Sequence, residues 1–599
     1  MAPTILWEHG WTTGQVLLLG VLALITYGFH PVARWQYRHI PGPFGWWYLG
    51  SLVEIVKLGQ YKAVQNWAQK YGPVFKLIQG SRAVVVVEDP DLGRLVNLRN
   101  SERMPIPSVM AGKEAEFDSS SILTSSGLYH RSIRNAWQPM FFTGSLEAYV
   151  ALMNSATDVL LHGLDAAAQQ GRVVDIWRMF GEMTMHVVGT TAFGVELHTQ
   201  AGDVARSPEE AELGGKLIDA AKLLFEGTGI FGSIWVLLTF LFPFLRPLTT
   251  RLAMAYPDAK LRELLAARHL MIDTVAKLIQ DTRAQQAADA ARTGHTGMDT
   301  SGDAVAPGQT SKAESAGVED SAQKLQAPYT RPSPKEAAMS PGLAWSDGGR
   351  LMEKLAQSAP PTPERPHKGV APGSFLHLLM RAQKKTDGQP FSDLELANQA
   401  FSFLLAGYET TASALGYTVY CLSGNPDKQA KLLREIDQVV GSRKPTFADL
   451  DKLPYLDAVF KESLRLYPPA GVTVRVAKED MNLGGYHVAK GTWLQVAIYS
   501  MHHNPKYWQG DPEAFIPERF VEGTPEASAR QTHAWQPFGD GPRACIGLRF
   551  ATEEAKIALI RIYQRFVFEL APFQQPLQLL NRLTISPKHG ILVTPVPRA

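Results

Sequence analysis

The chain has 599 residues, of which 45% are hydrophobic, and its 59 Lys and Arg against 57 Asp and Glu give a formal net charge of +2. This balance excludes nucleic-acid binding through bulk positive charge, which requires a clustered basic face. With only two cysteines, a disulfide scaffold is excluded as well, and a reducing compartment is indicated. The chain can bury a large core, although it is longer than an ordinary single domain.

The N-terminal segment predicts a membrane anchor. Residues 10–29 carry no charged side chain, and a run of about twenty such residues is what a bilayer core requires. A cleaved signal peptide is the alternative, but Glu8 is the only charge before the run and no small-residue cleavage motif follows it. Because Arg34 and Arg38 come next, we expect the rest of the chain to face the cytosol. With the Pro-Gly-Pro turn that follows, residues 1–40 are predicted to form an anchor and a stiff hinge.

Two segments stand out in the first half of the chain. Residues 127–134, GLYHRSIR, place His130 and Arg134 four residues apart. Residues 234–245, IWVLLTFLFPFL, are strongly apolar, but they are too short and too interrupted by proline to span a bilayer. The apolar segment either enters the membrane interface, where it opens a route for substrate from the lipid, or packs in the core.

A change in composition marks residues 285–373. This stretch is rich in Ala, Ser, Thr, Gly and Pro, and its apolar residues show no periodicity. Such a segment buries too little surface to offset its ordering entropy, so we predict a disordered insertion. It divides one domain into residues 41–284 and 374–599. A regulatory docking segment is the alternative to a tolerated low-complexity insert.

The apolar stretch 401–420, FSFLLAGYETTASALGYTVY, predicts a helix with an acid and an alcohol in its interior, Glu409 and Thr410. A buried carboxylate costs several kcal/mol unless it has a partner, a raised pKa or a task. A capping pair, or a pair that faces another helix, is the alternative interpretation.

One glutamate and three arginines in the second half of the chain are further candidates. Glu462 and Arg465 are three residues apart in KESLRLYPP, which places them on one helix face before two prolines end the helix. Alone, such a pair is typically a solvated surface pair worth less than about 1 kcal/mol. Arg475 lies in a predicted strand, where a solvent-exposed edge position is the alternative, and Arg519 lies in FIPERF.

Residues 538–547, FGDGPRACIG, place Cys545 in a glycine-punctuated turn. Gly541 and Gly547 can adopt backbone angles closed to other residues, which lets backbone N–H groups approach the sulfur. A buried structural thiol is the alternative. Together with the preceding motifs, the pattern FxxGxRxCxG resembles the signature of the cytochrome P450 family, and the resemblance covers both parts of the divided domain.

The resemblance implies a mainly α haem-thiolate fold with small β-sheets and a bound haem b. Cys545 would be the axial ligand of the haem iron, and Phe538 would pack beneath the macrocycle. His130 stands where the family usually has tryptophan; an imidazole can also donate to a carboxylate, while a surface histidine on a helix is the alternative. The remaining residues assigned to haem binding are Arg134, Arg475 and Arg543 on the propionates, and Gly541 and Gly547 in the turn.

The same resemblance assigns the other motif residues. Thr410 would hydrogen-bond the oxygen that is being activated, Glu409 would relay protons, and Gly407 would leave room for the oxygen pocket. Glu462, Arg465 and Arg519 would form a structural triad rather than a catalytic one, because guanidinium groups suit bidentate contacts with a carboxylate.

Among subgroups, the motifs look most like the group that contains the broad drug-oxidising enzymes of animals and thromboxane synthase. The resemblance implies an oxidoreductase: a monooxygenase that inserts one oxygen atom into a small apolar substrate. Electrons would come from an NADPH-dependent flavoprotein reductase, since the chain has no flavin or NADPH module of its own. We expect a single-pass protein of the endoplasmic reticulum, with another organelle membrane as the alternative. The alternatives in function are a reductase-independent isomerase or dehydratase of a lipid peroxide and a membrane-bound haem carrier without turnover.

Overall fold

The computed structural model describes residues 32–46, 48–100, 113–193, 199–200, 216, 218–224, 233–295, 374–384, 386–581 and 584–598. The chain divides into two units: residues 1–281 and 365–599 form the first, and residues 282–364 form the second. Of the second unit only the helical residues 282–295 are described. The predicted anchor at 10–29 lies outside the described residues, and so does the part of the predicted insertion at 296–373.

Helices dominate the first unit, so the prediction of a mainly α fold with small sheets is confirmed. The helices are α1 Val32–Gln36, α2 Leu52–Leu58, α3 Gln60–Tyr71, α4 Pro90–Arg99, α5 Lys113–Ser119, α6 Gly127–Trp137, α7 Thr143–Gln169, α8 Ile176–Phe193, α9 Ile234–Leu241, α10 Arg246–Ala255, α11 Ala259–His295, α12 Phe375–Arg381, α13 Asp393–Ser423, α14 Pro426–Val439, α15 Pro454–Leu466, α16 Ile498–His502, α17 Pro525–Ser528 and α18 Leu548–Tyr563.

The strands form small sheets beside the helices. They are β1 Val74–Gln79, β2 Arg82–Val87, β3 Val174–Asp175, β4 Thr473–Val476, β5 Met481–Leu483, β6 Tyr486–Val488, β7 Trp493–Val496, β8 Phe566–Leu570, β9 Leu579–Asn581, β10 Ile585–Pro587 and β11 Leu592–Pro597. The sheet with strand order β1-β2-β7-β4 contains one parallel pair, β2 with β7. The other sheets have the orders β3-β11-β8, β9-β10 and β5-β6.

Helix α13 lies in the main hydrophobic core and begins with a capping box. The Ser392 hydroxyl accepts from the Glu395 backbone N–H at 3.2 Å, and the Glu395 carboxylate accepts from the Ser392 N–H at 2.7 Å. Every residue from Thr411 to Leu422 is buried, which explains why this stretch is apolar on all sides.

Helix α13 packs closely against α8, and Gly407 permits this approach. A Cβ atom at Gly407 would lie 2.4 Å from Cγ2 of Val188, a distance that real side chains do not reach. The expectation that Gly407 leaves room for an oxygen pocket stays a prediction. The glycine serves the contact between two helices.

The junction after the predicted anchor differs from the prediction, because residues 33–40 belong to the folded unit. Ala33, Tyr37 and Ile40 are buried in a cluster that includes side chains of β2 and β7. The Lys76 ammonium group donates to the carbonyl oxygens of Tyr37 at 2.7 Å and Ile40 at 2.5 Å. Three apolar side chains three and four residues apart give this short segment a buried face, which the charges at 34 and 38 concealed.

Helix α11 continues to His295, so the first residues of the predicted insertion, from 285 to 295, are helical. The sequence AQQAADAA that follows Arg283 is rich in alanine, the residue with the highest helix propensity. Low hydrophobicity, which led to the prediction of disorder, does not prevent an alanine-rich segment from continuing an existing helix.

The apolar segment 234–245 forms α9 and the turn after it. The Ser233 hydroxyl caps the helix by accepting from the Trp235 N–H at 3.2 Å. Phe240 and Leu241 are buried, whereas Ile234 is 53% exposed, so one part of the segment packs in the core and another faces outward. Within the described residues, no single helix is long and apolar enough to cross a membrane; α9 and the helical residues Pro243–Ala255 meet that test only as a pair bent by 113°.

Candidate active site

Hydrogen bonds within the turn that carries Cys545 hold its backbone in place. The Asp540 carboxylate accepts from the Gly541 N–H at 2.6 Å, and the Cys545 N–H donates to the Phe538 carbonyl at 2.9 Å. Gly541 has a φ of +71°, and a Cβ atom there would lie 2.8 Å from the Asn97 carbonyl oxygen, so this position requires glycine. The Cys545 side chain is exposed, which excludes the buried structural thiol.

Gly547 does not need the special backbone angles that the sequence led us to expect. Its φ is −86°, which any residue can adopt, and it is the residue before helix α18. The N-terminus of α18 therefore begins three residues after Cys545. Free N–H groups at a helix N-terminus stabilise a nearby negative charge, so this arrangement favours the thiolate form of the cysteine.

One arginine side chain reaches the turn from another element of the fold, and a second arginine lies on a strand beside the turn. Arg134 of α6 donates to the Ala544 carbonyl at 2.9 Å; burial lowers the pKa of its guanidinium group, and the nearby Cys545 thiolate opposes that shift. Arg475 lies on β4, whose Thr473 methyl group would be 3.8 Å from a Cβ atom at Gly539. Because Arg475 is 1% exposed, the solvent-edge alternative is wrong.

Arg543, two residues before the cysteine, connects the turn to the loop before α6. It is buried and donates to the carbonyl oxygens of Ile122 at 3.3 Å and Ser125 at 2.5 Å. His130 is also buried, so it is not a surface histidine. Phe538 is half-buried, with its ring centroid 6.2 Å from that of Trp535.

The arrangement fits a haem group. The exposed thiol lies three residues before a helix N-terminus. Arg134 of α6 reaches its turn, and buried arginines lie within the turn, at Arg543, and on the neighbouring strand β4, at Arg475. On α13, Ala406 is exposed although it lies near the middle of a core helix, so an opening exists beside this face. Haem b supplies the chemistry of O–O bond cleavage when it is bound through a thiolate.

The acid and alcohol of α13 are both engaged in hydrogen bonds. The Thr410 hydroxyl donates to the Ala406 carbonyl at 2.5 Å, four residues earlier on the same helix. Glu409 is buried, and its Oε1 accepts a hydrogen bond from the Thr584 hydroxyl. Glu409 is therefore not a helix-capping residue, because its carboxylate bonds to Thr584, just before strand β10.

The structure brings Glu462, Arg465 and Arg519 together in the interior. Arg465 forms two bonds of 2.7 Å with the two carboxylate oxygens of Glu462, and Arg519 forms one of 2.7 Å with Oε1. All three residues are at most 1% exposed, so the pair at 462 and 465 is not a solvated surface pair. The two terminal nitrogens of Arg519 also donate to carbonyl oxygens, Nη1 to Ala514 at 3.1 Å and Nη2 to Gln509 at 3.0 Å and Asp511 at 2.7 Å.

His502, which was not predicted from the sequence, connects this buried group to the chain before the cysteine turn. Its Nδ1 donates to the Arg465 carbonyl at 3.0 Å, and its Nε2 accepts from the Gln536 N–H at 3.0 Å, two residues before Phe538. Burial and the charge of Arg465 hold the pKa of His502 well below its usual value, so the ring is neutral and can accept at Nε2. The signal in the sequence that could have indicated it is the pair of adjacent histidines in HHNP, residues 502–505.

The mainly helical fold, the exposed thiol in its turn and the arginines beside it define a haem-thiolate protein. A model of the cytochrome P450 family matches residues 40–296 and 350–595, and the chain therefore belongs to this family. The prediction of that family, and of haem b as its cofactor, is confirmed.

Curated relatives cover almost the entire chain. Thromboxane-A synthase of Sus scrofa is 31% identical over 97% of this chain and 96% of its own length. Cytochrome P450 3A13 of Mus musculus is 27% identical over 98% of this chain and 97% of its own, and cytochrome P450 3A5 of Homo sapiens is 27% identical over 97% and 96%. The subgroup expected from the motifs is therefore confirmed.

Proposed function

We propose that the chain is a monooxygenase that inserts one atom of dioxygen into an apolar substrate and releases the other as water. The observation that carries this proposal is the intact pair of Glu409 and Thr410 on α13, since a monooxygenase must deliver protons during O–O cleavage. In this reaction Cys545 holds the haem iron, and Phe538, Gly541 and Gly547 form its turn. The propionates are bound by His130, Arg134, Arg475 and Arg543.

The two residues of α13 have different tasks in the proposed reaction. Thr410 donates a hydrogen bond to the oxygen under activation, for which its hydroxyl leaves the Ala406 carbonyl. Glu409 supplies the proton, because it is the carboxylic acid directly next to Thr410 on this helix. Glu462, Arg465 and Arg519 stabilise the fold beneath the cysteine turn and take no part in proton transfer.

Electrons come from a separate NADPH-dependent flavoprotein reductase in this proposal, because we assign no flavin or NADPH site to the chain. The alternative is a reductase-independent isomerase or dehydratase of a lipid peroxide. The likeness to thromboxane-A synthase favours that alternative as strongly as the likeness to the drug-oxidising relatives favours a monooxygenase. The acid-alcohol pair supports the monooxygenase, since a substrate that already carries an O–O bond needs no proton relay.

Replacement of Thr410 tests the proposal. Thr410→Ala should uncouple the reaction: NADPH oxidation through the reductase continues, product falls by about tenfold or more, and hydrogen peroxide rises, because the hydroxyl no longer directs the proton. Glu409→Gln should instead slow NADPH oxidation and product formation together. Full coupled turnover in both variants would contradict the monooxygenase and favour the isomerase.

We further propose that the chain lies on the cytosolic face of the endoplasmic reticulum membrane, anchored by residues 10–29. Large apolar side chains are exposed at Trp35 (68%), Trp46 (64%) and Phe244 (67%). The chain segments that carry Trp46 and Phe244 meet where Tyr48 stacks on Phe242, with ring centroids 5.1 Å apart. Exposed aromatic residues next to an apolar run suit the interface between lipid and water.

A further inference from the structure

The chain just before and within β10 is fixed to helix α13 at two places. Thr584 donates a hydrogen bond to Glu409, and the Tyr417 hydroxyl donates to the Ile585 carbonyl at 2.7 Å. Eight residues separate Glu409 from Tyr417, which is about two helical turns. Thr584 and Ile585 are both buried, so neither contact competes with bulk water.

A third contact holds the same segment from another direction. The Ile585 N–H donates to the Pro469 carbonyl at 2.8 Å, just after the end of α15. A Cβ atom at Gly471 would lie 2.6 Å from Cδ1 of Ile585, so the isoleucine fits closely against this loop. The Thr584 hydroxyl therefore approaches Glu409 from a backbone whose position is set by β10, α13 and the loop after α15.

We propose that Thr584 is a positioning residue for proton delivery: its hydroxyl fixes the direction in which the Glu409 carboxyl group points. This inference rests on the proposed monooxygenase function, in which Glu409 supplies the proton. A long side chain such as Glu has several rotamers, and one fixed hydrogen bond selects among them. A threonine hydroxyl can both donate and accept, so the contact persists whether Glu409 is ionised or protonated.

The chain offers a matched control for a purely structural role. Tyr417→Phe removes a hydrogen bond to the same strand segment but leaves Glu409 and Thr584 in place. If Thr584 only anchors the strand, loss of either hydrogen bond should have the same effect. If Thr584 acts through Glu409, only its own replacement should change proton delivery.

The first measurement is the rate of product formation, followed together with NADPH oxidation, by the full chain with a reductase, using benzyloxyresorufin as an apolar probe. Thr584→Val should slow both by about tenfold, as Glu409→Gln does, which is the size expected for loss of one hydrogen bond to a charged group. Thr584→Ser, which keeps the hydroxyl, should restore the rate, and Tyr417→Phe should leave it unchanged. Equal rates in Thr584→Val and the unaltered chain would overturn the inference, as would an equal loss in Tyr417→Phe.

A second measurement reads the contact without turnover. The infrared carboxyl band of Glu409, identified by its disappearance in Glu409→Gln, should shift in Thr584→Val and remain in place in Tyr417→Phe. A band that does not respond to Thr584→Val would overturn the inference even if the enzyme is a monooxygenase. If the unaltered chain oxidises no probe with NADPH and reductase, the proposed function itself fails, and the positioning role fails with it.

Discussion

Among single residues, Glu462 accepts more hydrogen bonds from the protein than a carboxylate in an exposed ion pair usually does. Its Oε1 receives Arg465 and Arg519 at 2.7 Å each and the Ile516 N–H at 3.0 Å. A buried carboxylate is tolerated only with this degree of satisfaction, because its desolvation costs several kcal/mol. The contacts of Arg519 with three carbonyl oxygens add a reason why its planar group is required.

Arg519→Lys tests this account of the buried group. Lysine has one donor centre in place of a fork, so several buried acceptors lose their partners, and we expect unfolding to become easier by about 2 kcal/mol or more. Arg443→Lys is the matched control, because Arg443 also forms a fork with a carboxylate, that of Asp449, but is half exposed. Urea unfolding followed by far-ultraviolet circular dichroism measures both, and an equal loss in the two variants would contradict a special role for the buried fork.

At the scale of elements, the close packing of α8 against α13 determines where Glu409 and Thr410 lie. Gly407 and Val188 form the closest point of this contact, so any side chain at 407 must push the helices apart or displace Val188. The residues with the proposed proton-transfer tasks, Glu409 and Thr410, are two and three positions further along α13. A shift of the helix therefore changes their position as well.

Gly407→Ala should destabilise the protein by roughly 1–3 kcal/mol, because overpacking of a close contact costs this much. Val188→Ala in the same chain should recover most of the loss by removing the Cγ atoms that the new methyl group would meet. Gly144→Ala is the control, since a Cβ atom there meets nothing within 4 Å and alanine favours the helix. Thermal unfolding measures the three variants; a neutral Gly407→Ala would show that the helices can separate freely.

Motifs within one element were predictable from the sequence, and contacts between distant elements were not. Glu462 and Arg465 are three residues apart on a helix, so their pairing follows from helical geometry. Thr584 lies 175 residues from Glu409, and no local pattern links them. Their contact depends on how β10 lies against α13 and the loop after α15. His502 was missed for the same reason, because its two partners lie in α15 and in the chain before the cysteine turn.

At the scale of the whole molecule, the boundary between the predicted anchor and the folded unit moves toward the N-terminus. Tyr37 and Ile40 are buried, and the Tyr37 hydroxyl is hydrogen-bonded to Thr492. A chain shortened at residue 40 loses these contacts, whereas a chain shortened at residue 31 keeps them.

Two truncations measure this boundary. Removal of residues 1–31 should release the protein from tight membrane association and leave the free energy of unfolding almost unchanged. Removal of residues 1–40 should cost about 3–6 kcal/mol, since two large buried side chains contribute about 1.5–3 kcal/mol each. Flotation with liposomes measures membrane association, and urea unfolding measures the free energy of unfolding. Equal stability of both shortened chains would contradict the assignment of residues 33–40 to the folded unit.

The most direct test of the monooxygenase follows the oxygen atoms. The full chain is combined with a flavoprotein reductase, NADPH and isotopically labelled dioxygen, and an apolar probe chosen by the spin-state shift it induces in the haem spectrum. We predict that mass spectrometry finds one labelled oxygen atom in the product and that product formation stops without NADPH. Conversion of a lipid hydroperoxide without reductase, together with no labelled oxygen in any product, would contradict the account.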